Sequence, residues 1–295
     1  MARNESAGAG RILIFGGNGF MGQNIAALYP GSHPVGVDIA DSQAVTRALD
    51  EIRPDIVINC AGKTGRPNID WCEDHKIETL RSNVTGALVV LEECMKRNLY
   101  LVHFSSGCIY EGDKGGEGFT EEDPPNYLGS YYSRTKAWID QIMRDFPVLT
   151  LRMRMPFDGS LSDRNLIMKL RKYSRVLTEP NSITHLPDFF RAMTALIAKR
   201  ATGIYNIVNE GMISPFEIMT RYRERVAPSH TFEPLLLDHL GEVAKAGRSN
   251  CRLSAAKLRS QGIQMPPVHD AIEKALDALA AGVANHSGAP MLVDS

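Results

Sequence analysis

Short, uniformly apolar segments alternate with amphipathic ones along the first half of this chain. The run Arg-Ile-Leu-Ile-Phe at 11–15 ends in glycines, and similar short runs lie at 56–58, 101–104 and 148–151. Segments this brief and this apolar fit strands covered on both faces. A weaker strand is predicted at 34–37. Helical spacing fills the intervals: residues 21–28, the set Ala44, Val45, Ala48, Leu49 and Ile52, the set Val84, Ala87, Leu88, Leu91, Cys94 and Met95, and residues 132–143. Alternation of this kind predicts an α/β fold, a Rossmann-like doubly wound parallel sheet. Beyond about residue 155 the regularity weakens. Residues 165–173 read as a helix and 203–208 as a strand. Ser214-Pro-Phe-Glu217 is a capping box with Pro at the first helical position, so a helix starts there. The expected organisation is a flexible tail at 1–10, a dinucleotide-binding domain at 11–155, a smaller α+β substrate lobe at 156–281 and a second tail at 282–295. The boundary between the lobes is soft, with room for later elements to return to the sheet.

Glycines mark the first strand-to-helix turn. Gly16-Gly17-Asn18-Gly19-Phe20-Met21-Gly22 has the spacing G-x-x-G-x-x-G. Such a turn lets backbone N–H groups approach a pyrophosphate at a helix N-terminus. Gly16, Gly19, Phe20, Met21 and Gly22 are therefore candidate cofactor contacts; the plainer reading is an ordinary tight turn. Asp38 closes the second strand about 20 residues on, where a carboxylate accepts hydrogen bonds from an adenosine ribose and repels a 2′-phosphate. That favours NAD(H) over NADP(H). Asp38 or Asp41 could instead cap the next helix, and Asp41 is the better cap.

Tyr132 and Lys136 stand at i, i+4 in Tyr-Ser-Arg-Thr-Lys and share one helix face. An ammonium beside a phenol stabilises the phenolate, and such a Tyr can pass a proton to a carbonyl oxygen as hydride reaches its carbon. Ser106 ends the preceding strand, at the edge where ligands bind in this architecture. With the glycine turn and Asn59-Cys-Ala-Gly62 after the third strand, these residues resemble the extended short-chain dehydrogenase/reductase family over residues 11 to about 274. The resemblance implies catalytic roles for Ser106, Tyr132 and Lys136, the last also holding the cofactor ribose, and cofactor contacts at Asn59, Ala61 and Gly62.

Longer segments narrow the likeness. Residues 65–73, 107–110, 152–156, 180–184 and 248–250 resemble the nucleotide-rhamnose synthase/epimerase-reductases, relatives of dTDP-4-dehydrorhamnose reductase. The implied activity epimerises C3 and C5 of a UDP- or dTDP-4-keto-6-deoxy-glucose and reduces C4, giving the nucleotide L-rhamnose. The same resemblance implies Cys108 and Lys169 as the epimerising pair. A thiolate is a competent base near cations, and a proton-exchanging lysine must be partly desolvated. The plainer readings are a small buried hydrophobe for Cys108 and, beside Arg171 and Lys172, a solvated helix face for Lys169. Arg248 is a candidate for the substrate pyrophosphate, Arg66 and Asn68 for the sugar or nicotinamide side, and Asn181 for the nucleotide side; each is equally readable as a loop-structuring residue. Two departures from the subgroup bear on the cofactor. Asp38 stands where an Arg is usual, and Gly17 replaces a bulkier, often cationic residue. A third, Ser106 for Thr, leaves the hydroxyl in place.

Composition limits the alternatives. Lys plus Arg total 33 and Asp plus Glu 34, so a net charge of -1 supplies no field for nucleic acid. No apolar run reaches the ~18 residues of a membrane span, and the first ten residues lack a secretory h-region. Five cysteines without paired spacing read as thiols of a cytoplasmic protein, and the histidines have no metal-ligand spacing. A chain of 295 residues leaves no room for a fused 4,6-dehydratase, so a separate dehydratase is expected to supply the keto sugar. A homodimer is the family habit. The weighed alternatives are a monofunctional 4-keto reductase and a non-catalytic dinucleotide-binding regulatory subunit, as in methionine adenosyltransferase.

Overall fold

The computed structural model describes residues 10–287, with side chains to 283. Of the tails expected at 1–10 and 282–295, residues 1–9 and 288–295 lie outside the described residues. Contacts divide the chain into two units. One comprises the described residues through Ile109 with Pro125–Arg152 and Ala195–Tyr205; the other comprises Tyr110–Pro124, Met153–Thr194 and the described residues from Asn206.

The first unit begins with β1 (Ile12–Phe15), α1 (Phe20–Leu28), β2 (His33–Val35), α2 (Ser42–Ile52) and β3 (Ile56–Asn59). Short helices α3 (Trp71–Asp74) and α4 (Lys76–Leu80) lead through a π-helical turn at Arg81–Thr85 into α5 (Gly86–Lys96). Then come β4 (Tyr100–Ser106), α6 (Tyr131–Met143) and β5 (Leu149–Met153). The sheet order is β2-β1-β3-β4-β5-β9, where β9 is Gly203–Asn206. β1 pairs in parallel with β2 and β3, and β3 with β4. Leu13, Phe15, Val57 and Leu101 pack with Val45, Leu49, Val90 and Leu91 of the covering helices. Asp41 caps α2 by accepting from the N–H groups of Gln43 and Ala44, at 3.0 and 3.1 Å. Ser130 caps α6 through Ser133 N–H, at 3.1 Å.

The second unit holds β6 (Pro156–Phe157) paired with β8 (Thr184–His185), and β7 (Arg175–Leu177) paired with β10 (Glu233–Leu235). Its helices include α7 (Leu166–Leu170), α9 (Pro215–Arg225), α10 (Ala256–Ser260) and α11 (Val268–Ser287), while α8 (Leu186–Ala198) runs into the residues of the first unit. Ile167, Ile218, Met219, Tyr222, Ile272 and Leu276 form a separate core. Ser214 accepts from Glu217 N–H at 3.0 Å with Pro215 in the first turn, as the capping box requires.

A single cut near 155 does not describe this division. Residues 110–124 belong with the second unit because Gly112 bridges Cys251 and Phe119 bridges Leu253. The strand expected at 203–208 joins the main sheet beside β5, with Gly203 N–H donating to Val148 O at 2.8 Å. An apolar run states that a strand is buried, not which strand it pairs with. α8 was not foreseen, and α11 continues to Ser287, past the tail expected from 282. Among the described residues no helix is long and apolar enough to cross a membrane.

Candidate active site

Gly16 follows β1 with φ +83°, a conformation that L side chains rarely adopt. A Cβ there would lie 2.7 Å from Ala61 N, so the glycine turn and the loop after β3 touch backbone to backbone. Gly22 packs α1 against Gly16 O and Gly17 Cα, where a Cβ would collide with both. Gly19 is the N-cap of α1 and brings no side chain, so nothing caps the first-turn amides of Phe20, Met21 and Gly22 from that position. Aligned amides at the start of a helix suit a phosphate, and the turn fits a dinucleotide pyrophosphate.

Asn59 differs from its expected role. It is fully buried, its Oδ1 accepts Ala61 N–H at 3.1 Å, and its amide faces His103 Nδ1 at 3.4 Å. Asn59 therefore shapes the loop bearing Ala61 and Gly62 from beneath and has no surface for the cofactor. Burial, reinforced by Lys136, pulls the His103 pKa down to about 3. Asp38, in the same unit, is half-exposed. Its Oδ1 accepts Ala40 N–H at 3.0 Å, and its Oδ2 accepts Arg81 Nε at 3.0 Å and Nη2 at 2.9 Å. The Ala40 bond, then Arg81, hold the carboxyl below its ordinary pKa.

α6 turns Tyr132 and Lys136 inward, 8% and 6% exposed. Lys136 Nζ donates to Phe104 O of β4 at 3.0 Å. Burial lowers the Lys136 pKa to about 8, with Asp140 and Cys108 pulling the other way. Ser106, 4% exposed, ends β4, and its Oγ accepts Cys108 N–H at 3.1 Å. Ser106 and Cys108 are thus held together at the strand end under which Lys136 is anchored. Cys108 is partly exposed, whereas Cys72, Cys94 and Cys251 are buried. Cys60, half-buried by surface, donates to Phe15 O at 3.2 Å, and desolvation pushes its thiol up to about 12. Nearby in sequence to the β3 loop, Arg66 is exposed, and Asn68 Oδ1 accepts Asp70 N–H at 2.8 Å in a loop turn.

In the second unit, Lys169 separates from its neighbours: Arg171 and Lys172 are exposed, but Lys169 is half-buried and desolvation lowers its pKa. Arg248 is half-buried, with Nη1 donating to Ala246 O at 2.6 Å. Asn181 does not reach a ligand surface. It is 1% exposed, its Oδ1 accepts from Arg154 and from Cys251 N–H, and its amide donates to Glu179 O and Asn250 Oδ1. Its side chain organises the 249–251 segment instead of binding a nucleotide.

The family model of the RmlD substrate-binding domain matches residues 10–281. The chain belongs to that family. This RmlD-family protein is 36% identical over 289 residues to a bifunctional dTDP-4-dehydrorhamnose 3,5-epimerase/dTDP-4-dehydrorhamnose reductase of Arabidopsis thaliana, covering 92% of this chain and 94% of the relative. It is also 36% identical over 276 residues to a trifunctional UDP-glucose 4,6-dehydratase/UDP-4-keto-6-deoxy-D-glucose 3,5-epimerase/UDP-4-keto-L-rhamnose-reductase of the same plant, covering 90% of this chain but 41% of that protein. The crystal structure of the L780 UDP-rhamnose synthase from Acanthamoeba polyphaga mimivirus superposes with a TM-score of 0.86 at 33% identity, covering 92% of this chain and 100% of that one.

Sequence reasoning missed several residues that shape the site of this RmlD-family protein. Asn83, 2% exposed in the π-helical turn, accepts Lys63 N–H at 2.7 Å and donates to Lys63 O and to Thr135 Oγ1. It ties the end of the cofactor loop to α6. Beneath Lys136, Asp140 accepts from Ser105 Oγ at 2.7 Å and from Arg152 Nε and Nη2 at 3.0 and 2.6 Å, all fully or almost fully buried. A forked guanidinium–carboxylate pair is the strong form of such a bond. The spacing of Asp140 from Lys136, again i, i+4, was a visible signal. The pairing with Arg152 was not.

Proposed function

We propose that the protein converts a nucleotide 4-keto-6-deoxy-glucose to the nucleotide L-rhamnose, by epimerisation at C3 and C5 and reduction at C4. The arrangement that carries the reading is the β4 end, where Ser106 and Cys108 are bonded together and Lys136 is buried beneath with Tyr132 on the same helix face. Cys108, within electrostatic reach of Lys136, takes the proton beside the C4 ketone, and Lys169 returns one to the opposite face. A nicotinamide dinucleotide held by the glycine turn would supply hydride to C4. Tyr132 gives a proton to the C4 oxygen, Lys136 stabilises the phenolate left behind, and Ser106 orients that oxygen. The glycine turn and the Ala61–Gly62 loop hold the dinucleotide.

NADH is the proposed reductant, because Asp38 offers a carboxylate to the adenosine ribose. UDP is the proposed nucleotide, with Arg248 on its pyrophosphate and Arg66 and Asn68 toward the sugar. The keto sugar comes from a separate 4,6-dehydratase, in a cytoplasm that keeps Cys108 a thiol, and the enzyme works as a homodimer. The deciding experiment mixes UDP- or dTDP-4-keto-6-deoxy-glucose with NADH or NADPH and the protein alone, with product stereochemistry read by NMR. Rhamnose product without added epimerase is expected; its absence would leave only a reductase. Cys108→Ala should lose epimerisation yet still reduce pre-epimerised substrate, and equal loss of both activities would overturn the division of roles.

A further inference from the structure

We propose that Arg81 is a cofactor-specificity residue: its guanidinium is a site for a 2′-phosphate on the adenosine ribose, masked in this structure by Asp38. The inference deepens the NADH reading above and rests on Asp38 facing that ribose. A guanidinium so close changes what an acid at this position means. The sequence departures at 17 and 38 remove two cations, yet a third arrives from 43 residues away, on the π-helical turn. Gly17 cannot supply one, since a Cβ there would lie 2.6 Å from Pro34 Cβ and 2.7 Å from Val35 N.

Acceptor counting sharpens the point. A carboxylate has about four lone-pair sites. Arg81 occupies two on Oδ2, and Ala40 N–H one on Oδ1. One is left, whereas gripping both ribose hydroxyls takes two. A ribose diol must therefore displace one of these three bonds. A 2′-phosphate instead attracts the whole guanidinium, which binds phosphate oxygens in a forked geometry, while being repelled by Asp38. Asp38 and Arg81 are each a little over half exposed, at 55% and 53%. A surface pair of this kind contributes little to folding, so either residue can be changed without unfolding the chain.

The test is calorimetric titration of the wild type, Arg81→Gln, Asp38→Asn and the double variant with NADH, NADPH, ADP-ribose and 2′-phospho-ADP-ribose. Ionic strength is held fixed because exposed charges are screened. Arg81→Gln should weaken the 2′-phosphorylated ligands about tenfold and leave the others within about threefold. Asp38→Asn should tighten the phosphorylated ligands about tenfold, and the double variant should lose that gain. An Asp38→Asn gain that survives without Arg81, or an Arg81→Gln loss equal for both ligand classes, overturns the proposal. A wild type that prefers NADPH defeats the NADH reading alone, since the Arg81→Gln ratio still decides the role of Arg81. A wild type that binds none of the four defeats both.

Discussion

Arg152 and Arg154 stand two residues apart, both buried to within 1% of full enclosure, in different units of the chain. The first unit holds its guanidinium with a carboxylate, Asp140, which also accepts from Ser105. The second holds its guanidinium with the amide oxygen of Asn181 and with the hydroxyl and carbonyl oxygens of Ser249. The difference follows what each arginine supports. Asp140 lies one helical turn from Lys136, so the first cluster carries the charge balance of a titrating site. Arg154 fastens the segment that follows Arg248, so the second cluster carries shape.

The largest expected effect tests the chemical half of this contrast. Tyr132→Phe should cut C4 reduction by about 10²- to 10⁴-fold while solvent deuterium still enters C3 and C5 of the substrate. Lys169→Met should do the reverse, losing deuterium exchange and sparing reduction of pre-epimerised sugar. NMR of the products in D2O reads both, and parallel loss in either variant would erase the distinction between the units. Next come the two arginine clusters. Asp140→Asn strands a buried guanidinium and should cost about 3–5 kcal/mol in denaturant unfolding. Arg154→Met leaves neutral oxygens short of a donor and should cost about 1–3 kcal/mol, with the KM for nucleotide sugar raised more than kcat is lowered. A reversed order would show that charge compensation is not what separates them.

A smaller effect concerns pH. The folded pKa of Lys136, about 8, lies below its ordinary 10.5, so between these values the unfolded chain binds more protons. The contribution of Lys136 to stability is therefore unfavourable below pH 8 and is relieved as pH rises toward 10.5. Reduction should show an alkaline fall near pH 8 as the ammonium charge disappears. Comparing unfolding midpoints of the wild type and Lys136→Met across pH 7–11 isolates the first effect, and a kcat profile reads the second; a flat difference would contradict the buried-lysine account. The smallest change is expected of Lys172→Ala. Lys172 is exposed and pairs with exposed Asp163 at 2.6 Å, so stability should stay within about 0.5 kcal/mol and epimerisation should continue. Loss of epimerisation there would end the separation of Lys169 from its basic run.

Most of the first unit was legible because its signals are local. Apolar runs, helical spacing, the cap Asp41, and the i, i+4 placement of Tyr132 and Lys136 depend on residues a few positions apart. The second unit was less so, since its strands are two or three residues long and two of its bridges join residues 134 or more positions apart, as between Phe119 and Leu253. Asn59 and Asn181 mark the characteristic error. An asparagine in a site motif can face a ligand or brace the loop that does, and only burial tells which.

The sequence by itself determined the strand–helix order, the glycine turn and the set of side chains able to move protons, because covalent neighbours impose these through backbone geometry and periodicity. Tertiary structure alone decided which charges meet. It joined Asp38 to Arg81 and Asp140 to Arg152, and it half-buried Lys169 while leaving Lys172 in solvent. Coulomb interaction and desolvation depend on distance and burial in space, and neither has a period along the chain.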